Sequence, residues 1–122
     1  MNWAISLILS ETESIENRLH GVVAHIISQM EVAEILVTDI DATGVLGNQL
    51  TIVLNEQNSI SITLKDLLAM LTEDGQIFDL DLHLRSLCEY RFIISDGNFL
   101  DILGTAEKLP LSVTGPNEYL LF

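Results

Sequence analysis

Lysine and arginine are scarce in this sequence: five of them stand against 18 aspartates and glutamates in 122 residues, a formal charge of −13. A typical domain is about 25% charged with the two signs near balance, and here 19% of residues are charged. Acids are therefore near ordinary numbers and bases are depleted. Arg18, Lys65, Arg85, Arg91 and Lys108 are scattered along the chain. No phosphate-tracking stripe can be assembled from neighbours in sequence, so direct nucleic-acid binding is not expected. Cysteine is limited to Cys88, which excludes an internal disulfide and makes a reducing cytoplasm the expected compartment. Long apolar runs are missing as well: nothing approaches the roughly 18–20 residues of a membrane span. The apolar stretch over 3–9 has no basic residues before it, and Glu11, Glu13 and Glu16 follow, which argues against a secretory signal.

Catalytic signatures are also lacking. Gly44-Val45-Leu46-Gly47 follows a strand pattern but is not followed by the Lys-Ser/Thr pair of a phosphate loop. No serine sits in a Gly-x-Ser-x-Gly elbow. His20 and His25 are spaced to fall on different sides of a helix, unlike a helical metal pair. Cys88 alternates with Tyr90 and Phe92 and reads as a small core residue. No cofactor is expected.

What is present is a foldable pattern. Hydrophobic residues make up 48% of the chain, far from the composition of a disordered acidic tail, and the length fits one domain over 1–122. Residues 3–9 alternate as a strand. Ser10-Glu11-Thr12-Glu13 has the form of a capping box, and Ile15, Leu19, Val22, Ile26 and Met30 then recur at helical spacing. Strands are expected at 34–40, 50–54 and 60–64, the last two joined by a hairpin loop at Asn55-Glu56-Gln57-Asn58. Thr63 caps a second helix over 64–72. Phe78, Leu80, Leu82 and Leu84 alternate with Ile77, Asp79, Asp81 and His83. Cys88, Tyr90, Phe92 and Ile94 alternate with Glu89, Arg91 and Ile93. Asp96-Gly97-Asn98 turns the chain into a strand over 99–103. Pro110 and Pro116 break the tail, and 119–122 is apolar enough to dock as a last strand. The expected class is α+β: one mixed or antiparallel sheet of about six to eight strands with two helices, in the order β-α-β-β-β-α-β-β-β.

Two constellations bear on function. Asp79, Asp81 and His83 project from one side of one strand, where same-side neighbours lie roughly 7 Å apart and could share a divalent ion. That would make a metal-dependent hydrolase, although simple alternation on a half-buried strand accounts for the same positions. The other constellation is the acidic field itself. A charge of −13 exceeds the magnitude of about 2–8 that solubility asks of a small domain, and a field of that sign attracts basic partners. The expected role is an immunity or antitoxin-type inhibitor that occludes a cationic toxin, most plausibly a nuclease, without chemistry of its own. A phage protein that mimics DNA to disarm a host defence is the alternative within the same field. The expected partner-binding carboxylates are Asp79, Asp81 and Glu89, extended by Asp39 and Asp41 or by Glu73 and Asp74, with Tyr90 or Tyr119 as exposed aromatic contacts. No membrane partner is expected, and a homodimer is compatible with the apolar content.

Overall fold

The computed structural model describes residues 3–7, 9, 13–29, 31–105 and 118–121. The elements run β1 (Trp3–Leu7), α1 (Ile15–Gln29), β2 (Glu34–Ala42), α2 (Val45–Leu54), β3 (Ile60–Ser61), α3 (Leu64–Thr72), β4 (Ile77–Arg85), β5 (Glu89–Ser95), β6 (Phe99–Gly104) and β7 (Glu118–Leu121). The strands form one seven-stranded sheet in the order β3-β2-β4-β5-β6-β1-β7, and every neighbouring pair is antiparallel. The fold is α+β, with three helices where two were expected.

Alternation explains the sheet. Leu80, Leu82 and Leu84 of β4, Tyr90, Phe92 and Ile94 of β5, and Leu100 and Ile102 of β6 all point inward and are buried. Against this side α1 lays Ile15, Leu19, Val22, Val23 and Ile26, and α3 lays Leu67, Met70 and Leu71, the 3.6-residue stripe of an amphipathic helix. Among the described residues no polar or charged side chain is buried.

The helix starts follow capping chemistry. Thr63 Oγ1 accepts the Asp66 N–H at 3.1 Å, as the sequence predicts. α1 begins later than the expected box. The described helix starts at Ile15 with Ser14 Oγ accepting the Asn17 N–H at 3.1 Å, and Ser10, Glu11 and Thr12 lie outside the described residues.

The expected strand over 50–54 is the C-terminal half of α2. Leu46, Leu50 and Leu54 pack against the core at four-residue spacing while Ile52 is exposed, so the alternation of Leu50, Ile52 and Leu54 was incidental. The expected hairpin at 55–58 goes with it: Asn55 is the α2 C-cap in an αR conformation. The N-terminus of α2 carries no side-chain cap of its own. It is capped from a distance by Glu73, whose carboxylate accepts the Leu46 N–H at 3.1 Å and the Gly47 N–H at 2.9 Å. Gly47 is required by close approach, since a Cβ there would lie 2.9 Å from that of Ala42. Thr51 then closes the edge of β2, its Oγ1 accepting the Ala42 N–H at 3.1 Å. A helix covers a sheet edge that would otherwise invite pairing.

Two bulges set which residues face outward. The β2–β4 register slips between Val37 and Asp39 and again between Asp41 and Ala42. The first leaves both Thr38 and Asp39 exposed. The second turns Ile77 inward and Phe78 outward, the reverse of the simple alternation.

Candidate functional site: the acidic outer face

The side of the sheet away from the helices carries the candidate carboxylates. Antiparallel register places Asp39 opposite Asp81 and Asp41 opposite Asp79. Two strands further on, Asp101 of β6 faces the same way, its register partners being Ile93 of β5 and Ser6 of β1, and the Ser6 hydroxyl donates to its carboxylate. Between the acids lie Leu36, Ile93 and Leu103, each partly exposed. Like charges directly opposite on a sheet are destabilising, so the repulsion across each aspartate pair works against the fold.

One end of this face is charge-compensated. Arg91 of β5 grips Asp81 with two hydrogen bonds, Nε to Oδ1 at 2.9 Å and Nη2 to Oδ2 at 2.6 Å, the fork geometry that suits guanidinium and carboxylate. His83 stands between two carboxylates, Nε2 at 3.1 Å from Asp81 Oδ1 and Nδ1 at 2.9 Å from Glu89 Oε1. Arg85 Nε completes the chain at 3.3 Å from Glu89 Oε1. Burial pushes the Asp81 carboxyl up, but hydrogen bonds and charge from Arg91, with the nearby His83, outweigh it and hold it below 3.8. The hydrogen bond from His83 holds Glu89 below 4.5, against partial burial and with help from Arg85. The hydrogen bond to Asp81, with its charge and that of Glu89, raises the Arg91 guanidinium above its ordinary value.

The other end is uncompensated. Asp39 and Asp41 are exposed, and no Lys or Arg bridge to either, or to Asp79, is formed among the described residues. Among the described residues Asp79 Oδ1 accepts only a long 3.4 Å contact, from the Asp96 N–H. The field is therefore concentrated towards the end of the sheet where β4 begins and the β5–β6 turn lies.

Of the carboxylates expected to bind a partner, Asp39, Asp41, Asp79, Asp81 and Glu89 come together on this face. Glu73 does not join them, being the cap of α2, and Asp74 follows it in the turn after α3. Tyr90 is not an exposed aromatic: it is buried on the inner side, and burial followed by Cys88 pushes its phenol above 10.0. Tyr119 lies in β7, whose side chains are outside the described residues. Asp101 was missed, although it is the one charged residue in the alternating stretch Phe99–Gly104. Arg91 was missed as the partner of Asp81 because only the β4–β5 register brings them together.

Asp79, Asp81 and His83 share a face but do not converge. Both oxygens of Asp81 are held by Arg91, both ring nitrogens of His83 meet carboxylates, and among the described residues no group of three or more His, Cys, Asp or Glu is placed to hold a metal ion. No helix of the described residues is long and apolar enough to cross a membrane. No protein-family model, no curated protein and no solved structure matches the chain.

Proposed function

We propose that this protein is an acidic inhibitor that acts in the cytoplasm and blocks a cationic partner protein by laying the outer face of its sheet over the partner's basic surface. The single observation that carries this reading is the two opposed aspartate pairs, Asp39 with Asp81 and Asp41 with Asp79, on a face that no helix of the described residues covers. Folding gains nothing from setting like charges across strands; a basic partner gains a rigid array of carboxylates held by backbone ladders rather than by flexible loops. A nuclease is the best-matched class, because its active-site cleft is itself lined with phosphate-binding cations that such an array neutralises. Inhibition of this kind is occlusion, with no bond made or broken, and the immunity or antitoxin type of protein is its natural setting.

The test separates position from net charge. One variant carries Asp39→Asn, Asp41→Asn and Asp79→Asn; a control carries Glu31→Gln, Glu56→Gln and Asp66→Asn, losing the same charge elsewhere. Both are used with the unaltered protein to capture partners from the native lysate at low and high salt, and each captured protein is titrated by calorimetry. A stoichiometric basic protein bound by the unaltered chain and the control, weakened by salt and lost by the outer-face variant, is the expected result. Equal binding by both variants, or no basic partner even at low ionic strength, overturns the reading. If DNA competes for the captured protein, the inhibitor belongs to the DNA-mimicking kind.

A further inference from the structure

A cleft of about 640 Å³ opens at the uncompensated end of the sheet, where the end of β1, the start of β4, the β5–β6 turn and the first turn of α1 meet. Its apolar surface comes from Leu7, Leu9, Ile15 and Ile77, and two phenylalanines, Phe78 and Phe99, line it while remaining 38% and 61% exposed. Phenylalanine usually belongs in the core, and Phe92 of this chain is wholly buried there. Phe78 is turned out by the β4 bulge. Phe99 is the outward-facing first residue of β6. The β5–β6 connection is three residues, Asp96 to Asn98, with Asp96 at φ 54° and Gly97 at φ 70°, the paired left-handed geometry of a type I′ turn that the Asn98 N–H closes on the Ser95 carbonyl at 3.2 Å. It brings Gly97 beside Ile77 and Phe78, where a Cβ would lie 3.6 Å from the Ile77 carbonyl oxygen and 3.7 Å from a Phe78 ring carbon.

The polar lining is acidic. Glu13, Glu16 and Asp96 contribute carboxylates and no lysine or arginine lines the cleft among the described residues. Two of the three have structural duties: Glu16 accepts the Ile77 N–H at 2.8 Å and Glu13 pairs with Arg18 at 3.4 Å. The α1 N-terminus would favour an anion here, but Glu16 already sits in its first turn. We infer that this cleft is the anchor site for an arginine side chain of the partner, its guanidinium lying against Phe78 and Phe99 with Asp96 beside it. Exposed aromatic rings beside Asp96, to which no Lys or Arg bridge is formed among the described residues, call for a ligand that is planar, apolar on its faces and positive at its edge. Guanidinium has all three properties, and an ammonium lacks the planar face. Asp79 and Asp41 on the adjoining sheet surface steer the cation towards the cleft, and the rings hold it.

This rests on the reading of the chain as a binder of basic proteins, yet it is tested without any such protein. The probe is acetyl-Gly-Arg-Gly-amide, titrated into the labelled full chain and followed by backbone amide resonances, with the uncharged citrulline peptide of the same shape as control. Saturable shifts centred on Phe78, Gly97, Asn98 and Phe99, absent with citrulline, are expected. Phe99→Leu keeps the apolar bulk at an exposed position and removes the ring face; it should weaken the arginine peptide about threefold. Phe78→Leu should do the same. Shifts confined to Asp39, Asp41, Asp79 and Asp81 would overturn the cleft while leaving the acidic face standing as the interface. No saturable shift anywhere, or equal binding of both phenylalanine variants and the unaltered chain, overturns the anchor site whatever the lysate capture shows.

Discussion

On the helix-covered side of the sheet, Leu82, Phe92 and Ile102 lie side by side across β4, β5 and β6 with no accessible surface. On the reverse side of the same ladders Asp81 faces Asp39, and Asp101 lies beyond Ile93. Each inner position is filled by a residue that folding requires. The outer positions include choices that folding resists, since like charges meet where almost any neutral polar pair would be less costly. The contrast separates the residues that make the protein from those that it presents.

The sharpest way to break the comparison is to attack the inner side. Phe92→Ala empties the centre of the core and is expected to lower stability by about 3–5 kcal/mol, a large part of the roughly 5–15 kcal/mol a domain possesses. Urea unfolding measures it. A loss below about 1 kcal/mol would mean that Phe92 is not packed as described.

A smaller effect distinguishes a structural acid from a presented one. Glu73 satisfies two N–H groups at the start of α2, so Glu73→Ala should lower stability by about 1–2 kcal/mol, as loss of a helix cap does. Amide exchange at Leu46 and Gly47 should quicken. Capture of a basic partner should be unaffected, and a binding loss would put Glu73 back among the presented carboxylates.

The inner side was legible because a half-buried strand records its orientation every second residue: β4 from Leu80 to Leu84, β5, β6 and the α1 stripe from Ile15 to Ile26 follow from spacing alone. Met30 of the expected stripe lies outside the described residues. Three features were not legible, each for a non-local reason. The signal that starts α2 is Glu73, 27 residues from Leu46, so the short stretch of Leu50, Ile52 and Leu54 read as a strand. Phe78 was assigned to the wrong side because a bulge depends on the partner strand. The Arg91–Asp81 grip exists only in one register. Alternation and charge coincide at Asp79 and Asp81. Asp39 and Asp41, which simple alternation places on the side of Ile35 and Val37, reach the outer face through the bulge after Val37. Asp101 is a single acid in β6 and was not singled out.

The compensated end of the outer face gives a prediction with a sign. Asp81 and Glu89 ionise below their ordinary values of 3.8 and 4.5, so near those values the folded state binds fewer protons than the unfolded chain. Their contribution to stability is complete above the unfolded values and drains away as pH falls through the lower, folded ones. Arg91→Gln removes the main force holding Asp81 down. Unfolding midpoints measured from neutral pH to below pH 4 should then fall less steeply in the variant, the two curves converging at the acid end. Parallel curves would show that Arg91 does not set the ionisation of Asp81.

The smallest expected change in stability is the most informative, because its direction opposes the change in binding. Asp39 and Asp41 are exposed and each faces another carboxylate. Asp39→Asn and Asp41→Asn preserve shape and remove the repulsion, so the double variant should be more stable by a few tenths to about 1 kcal/mol. The gain should shrink as added salt screens the charges. The same substitutions should slow association with the proposed basic partner, with the deficit largest at low salt. An ordinary structural residue cannot behave this way: damage to a fold lowers stability and binding together. If the double variant is less stable and binds unchanged, the aspartate pairs belong to the fold and the two sides of the sheet no longer differ in kind.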